Sequence, residues 1–230
     1  MTVHPAPTRG RLCRLATSFL LAFASSVAMA RIGDTPEQMS SRIMQTNVGK
    51  NFYWPRDMSP REKERQLRDI PLTPFSHLLP TAAEEWKEQI FWKSALHRRP
   101  SDDDGWRVHV YYLNGRSVVE LYRRVGKPLN EFEINAILSR MRGGQTWRRV
   151  PKKEGQKQED TILGYDFALG EEGADVLRAR KQGDWLIVYH KRFDDYLAAR
   201  KERWDETEAQ RKAELAVENE KSAPISVDGF

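Results

Sequence analysis

Cysteine is all but missing: Cys13 is the only one in 230 residues, and it sits among arginines near the start. A chain with one thiol has no internal disulfide, and everything beyond position 13 lacks thiolate metal sites and cysteine nucleophiles. No Asn-Xaa-Ser/Thr acceptor occurs, so nothing suggests N-glycosylation. There is no Gly-Xaa-Ser-Xaa-Gly elbow and no glycine loop running into a lysine and a hydroxyl residue, which argues against the elbow hydrolases and the phosphate-loop enzymes. A membrane-spanning run is lacking too. The uncharged stretch at 15–30 is about 16 residues, short of the ~20 that cross a bilayer core.

That stretch has another reading. Arg9, Arg11 and Arg14 precede it and Ala28-Met29-Ala30 closes it, the build of a secretory signal peptide, 1–30. Cleavage is expected after Ala30, giving a mature chain that starts Arg31-Ile32-Gly33 and is periplasmic or secreted from a bacterium. Cys13 precedes the apolar run, so it is no lipoprotein acceptor. An uncleaved anchor is the other reading, weakened by Ser18, Ser25 and Ser26 in the run. Removing the leader leaves 35 basic against 33 acidic residues, about +2 on interleaved charges. That balance argues against nucleic acid as a partner. A domain without disulfides is held by its core alone, and 39% hydrophobic residues with seven tryptophans make that feasible.

The mature chain divides into an N-terminal helix (31–49), a proline-rich aromatic insertion (50–85), an α+β core (86–204) and a charged tail, helical or disordered (205–230). Thr35, Pro36 and Gln38 make a helix start with a capping box, and Met39, Ile43 and Met44 share a face of a helix over 35–48. In the insertion, prolines at 55, 60, 71, 74 and 80 surround one polar helix near 60–69. Two β-branched, aromatic-rich runs flank Asn114-Gly115, a type I′ hairpin signature, and residues 90–95 offer a further strand. Asn130 and Glu133 form a second capping box, with Phe132, Ile134, Ile137, Leu138 and Met141 as its apolar stripe. Strands are predicted at 145–150, 161–168, 174–181 and 184–190. The last is apolar on both faces and so belongs in the middle of a sheet. A long charged helix begins near Arg192, with Phe193, Tyr196, Leu197 and Trp204 inward. The fold class is α+β: antiparallel sheet with packed helices, two α-βββ units, and a long C-terminal helix. The echo of Ser41-Arg42-Ile43-Met44 in Leu138-Ser139-Arg140-Met141 is the sequence trace of such a repeat.

The mature start Arg31-Ile32-Gly33-Asp34-Thr35, with Arg42, Gly49 and the later set Leu129, Glu133, Ile134, Leu138 and Trp147, resembles a family of exported bacterial proteins of unknown function that begin Arg-Xaa-Gly-(Glu/Asp)-Thr after the cleavage site. Ile43 stands where that family has a tyrosine. The Gly33-to-Gln38 helix start followed by strands is similar, more loosely, to the small lipoproteins of the outer-membrane assembly machinery, which implies an α+β domain that binds protein. This chain lacks their lipid-bearing cysteine. Neither resemblance implies catalytic residues.

The candidate chemistry is sparse. His77, His97, His109 and His190 show no metal-ligand spacing, and neither a metal nor a cofactor is expected. His109 and His190 lie in predicted strands and could approach across a sheet, with Asp166 as a carboxylate; this is the enzyme reading, a metal-independent hydrolase. Asp102-Asp103-Asp104-Gly105 lacks the alternating ligands and distal glutamate of a calcium loop and reads as a solvated turn. Among the tryptophans, Trp54 and Trp86 flank the insertion and, with Tyr53, are the binding candidates. The reading with most support is a non-catalytic envelope module that binds a protein or a glycan.

Overall fold

The computed structural model describes residues 32–44, 48–82, 85–94, 105–151, 161–171, 173 and 176–222. The leader with Ala28, Ala30 and Arg31, the aspartates at 102–104, His97, Glu172 and the last eight residues lie outside the described residues. The elements are α1 (Pro36–Met44), β1 (Gly49–Asn51), α2 (Pro60–Arg68), a 3₁₀ segment (Thr73–Leu78), β2 (Trp86–Lys93), β3 (Trp106–Leu113), β4 (Arg116–Arg124), α3 (Glu131–Met141), β5 (Trp147–Arg149), β6 (Phe167–Leu169), β7 (Leu177–Gln182), β8 (Trp185–His190) and α4 (Lys191–Ser222).

Local chemistry sets the ends of these elements. At α1, Thr35 N–H donates to the Gln38 side chain at 2.9 Å and Gln38 N–H to the Thr35 hydroxyl at 3.3 Å. The same reciprocal box closes over Asn130 and Glu133 at α3. Asn114 (φ 51°) and Gly115 (φ 74°) make the tight turn between β3 and β4 with both residues at positive φ, as a type I′ turn requires. The expected strand at 161–168 forms only at its end, because 161–166 curls into turns and Asp166 caps the end of β7 by accepting from Lys181 N–H at 2.9 Å.

All eight strands form one antiparallel sheet in the order β1-β2-β3-β4-β8-β7-β6-β5. The order counts inward from each edge. Each half is a helix followed by a four-strand meander, and the two meet at the antiparallel β4–β8 pair. The expected α-βββ pattern is thus α-ββββ in each half: the four strands of the second half overlap the four predicted there, and the strand not anticipated is β1, a three-residue edge strand too short to leave a periodic pattern. β8 sits between β4 and β7, where a strand apolar on both faces belongs.

Alternation sends the strand side chains to two cores. On one face, Phe91, Val108, Val110, Tyr122, Leu186 and Val188 meet α1 through Met39 and Ile43 and α3 through Ile134, Leu138 and Met141. On the other, Val119, Leu121, Ile187 and Tyr189 meet Phe193 and Leu197 of α4, together with Ile70, Leu72, Leu78 and Leu163. The proline-rich stretch is therefore no surface appendage. It is the connection between the first and second strands of the first half. The connection in the same place of the second half supplies Leu163, and the two lie over the same face.

Candidate functional site

The structure disperses the enzyme candidates. His109 pairs in register with Leu121, which pairs with Ile187, so the three share a face; His190 lies three residues on from Ile187, and strand parity turns it to the opposite one. The expected approach of His109 to His190 does not occur. Asp166 is engaged at the far end of β7 from the β7 residue that pairs with His190. No group of three histidine, cysteine or acidic residues able to hold a metal converges among the described residues.

His109 has a carboxylate partner all the same: its Nδ1 lies 2.8 Å from Glu88 Oε1, and the same carboxylate accepts from the Tyr111 hydroxyl. With a carboxylate as acceptor, Nδ1 carries the proton of the neutral ring. Its Nε2, where a base would act, is buried without a hydrogen-bond partner, and Trp185 stands edge-on at 5.3 Å. The ring is 0% exposed. This is a base without access to a substrate. Burial lowers the His109 pKa below its ordinary value, outweighing the pull of Glu88, and Arg107 and Arg123 lower it further. Glu88 is pushed up by burial but ends below its ordinary value because His109 holds the carboxylate.

These directions fix a pH dependence. The unfolded chain takes up a proton on His109 near pH 6.5, whereas the folded chain resists it, so stability is full above about 6.5 and falls as pH drops through that value. His190, lowered by burial and by Arg192, acts in the same direction. The melting temperature is expected to fall from pH 7.5 to 5.5 and to fall less in His109→Gln. An equal slope in wild type and variant would exclude His109 as the titrating group.

The aromatic candidates are only partly surface groups. Tyr53 is 78% exposed, but its neighbours Phe52 and Trp54 are half-buried against each other and against the Arg107 guanidinium, 4.5 and 5.2 Å from their ring centres. Trp86 stacks between Tyr111 (5.3 Å) and Phe193 (5.6 Å). Trp92 and Trp185 are core, and Trp204, expected inward, is 44% exposed with His77 against it.

A recess with an apolar lining and an exposed aromatic at its rim was not anticipated. Eight strands span about 33 Å, and two helices of about 10 Å diameter cannot cover that width. Among the described residues, the strip left between α1 and α3 is a groove of about 380 Å³. Trp106, Val108 and Tyr122 floor it; Ile43 and Ile137 form its walls. Phe132 stands at its rim, 82% exposed. The sequence reading placed Phe132 in the buried stripe of α3, but at 100° per residue it lies 200° from Ile134 and so points away from the core. A helical wheel carries that signal. Polar groups edge the groove: Arg124 pairs with Glu133 and lies over Trp106 at 5.4 Å, with Lys93 and Arg140 beside them. Such a lining can hold an apolar segment and orient it by charge.

No described helix is long and apolar enough to cross a membrane. Comparison with family models, with curated proteins and with solved structures yields no match.

Proposed function

We propose that this chain is an exported, non-catalytic binding module of the bacterial envelope that docks the apolar face of a segment from another polypeptide chain in the groove between α1 and α3. The observation that carries the reading is Phe132. A large apolar side chain left in water beside a recess floored by Trp106 and Tyr122 is the pairing found at protein-binding hot spots, where an aromatic anchor and an adjoining pocket are desolvated together. The candidates of the enzyme reading are separated, and the Nε2 of His109 is buried. Export rests on the leader pattern at 1–30.

A photoreactive amino acid at position 132 in the natively expressed chain tests this. A discrete cross-linked partner is expected, in a fraction whose protein begins at Arg31, with the signal lost on adding Ile137→Glu and absent when the probe replaces exposed Lys87. Cross-linking no stronger at 132 than at 87 would sink the reading.

A further inference from the structure

α4 is 32 residues long, and only its first part has a place on the domain. Phe193 and Leu197 are buried and Trp204 lies against His77; beyond it almost every side chain is exposed. Residues 205–222 thus run on as a helix of about 27 Å outside the fold. Isolated helices of this length are marginal in water, and most helices draw their stability from packing. Ala209, Ala213 and Val217 recur at four-residue spacing and share one face, with Glu206 and Glu220 at its two ends. The segment holds six acidic and three basic residues.

The groove has the matching character. Its floor and walls are apolar, and its rim carries Lys93, Arg124 and Arg140 against Glu133. It lies on the α1/α3 face, whereas α4 runs along the opposite face of the same sheet. A continuous helix cannot turn around the sheet to reach it, so this helix fits only the groove of another molecule. Building on the groove as a docking site, we propose that its occupant is the distal part of α4 from a second copy of this chain, with the Val217 face against Phe132 and Trp106 and the helix acids toward the basic rim.

Sedimentation velocity on the mature full-length chain up to about 0.1 mM tests the pairing. Wild type is expected to associate with rising concentration, and less so in high salt because the charges are screened. Phe132→Glu spoils the groove and Val217→Glu the helix; both positions are exposed, so both variants fold. Each alone is expected to remain monomeric. Mixed in equal amounts they are expected to form a dimer, because one still offers a sound helix and the other a sound groove. A monomeric wild type, or variants that associate like wild type, would overturn the proposal. So would a cross-link from position 132 to a different protein that survives Val217→Glu, an outcome that leaves the groove as a binding site and removes only this occupant.

Discussion

Asp194→Ala is expected to lower the stability of the domain by about 3–5 kcal/mol, the range seen when one partner of a buried ion pair is removed. Asp194 lies near the start of α4 and is 0% exposed. One carboxylate oxygen accepts from the backbone N–H of Ile162 (3.0 Å) and Leu163 (2.9 Å); the other accepts from Arg178 at 3.4 Å. A single side chain therefore ties α4 and the second-half connection to β7. Truncation takes this acceptor away from two amides and from the Arg178 guanidinium, a costly loss in a low-dielectric interior. Asp194→Asn keeps an oxygen for the amides and loses the charge, so it should cost less. Urea unfolding followed by tryptophan fluorescence gives the ranking wild type, Asn, Ala. A loss below about 1 kcal/mol for Ala would mean that the connection is held by Leu163 packing and not by this carboxylate.

The second large effect is expected from Gly105→Ala, at about 3 kcal/mol or more. Gly105 opens β3 at φ 123°, a backbone conformation that residues with a Cβ avoid. A methyl group there would run into the Lys93 carbonyl oxygen and lie 2.6 Å from Cζ2 of the Trp92 ring. The backbone cannot retreat easily, since Gly105 O accepts from Val125 N–H at 3.0 Å and Trp106 pairs with both Lys93 and Arg124. Gly115 is the internal control. It has positive φ as well, but no atom within 4 Å of the added carbon, so Gly115→Ala should cost only the backbone term of about 1–2 kcal/mol. Equal melting temperatures for the two variants would show that φ alone, and not the approach of Trp92, requires glycine at 105.

Much of the fold could be read from short-range chemistry. Asn114-Gly115 and the two capping boxes act within four residues, and the two-sided apolar character of 185–190 reports its central place directly. What escaped is what depends on distant partners. The strand Gly49–Asn51 is too short for a period of two to show. Prolines and charges at 50–85 suggested surface, whereas Ile70, Leu72 and Leu78, a few residues in a polar context, place that stretch on the sheet. His109 and His190 were set together by residue type, and the register that separates them exists only once β4 and β8 pair. For the groove, the parity of Trp106, Val108 and Tyr122 was available, and so was the position of Phe132 on the wheel of α3. The gap itself is a ratio of sheet width to helix diameter, which no local pattern contains.

The seam between β4 and β8 also sets an order of events. Every other strand pair joins neighbours along the chain, whereas Val119 with Tyr189 and Arg123 with Trp185 join positions about 60–70 residues apart, the slowest kind of contact to close. While the chain is being made, the first half can fold its meander with β4 as a bare edge, an open row of peptide groups flanked by Val119 and Leu121. Until β8 arrives, that edge is a template for another nascent chain. Closing this seam is therefore expected to be the slow step of folding and the interval in which the chain is most exposed to edge-to-edge association.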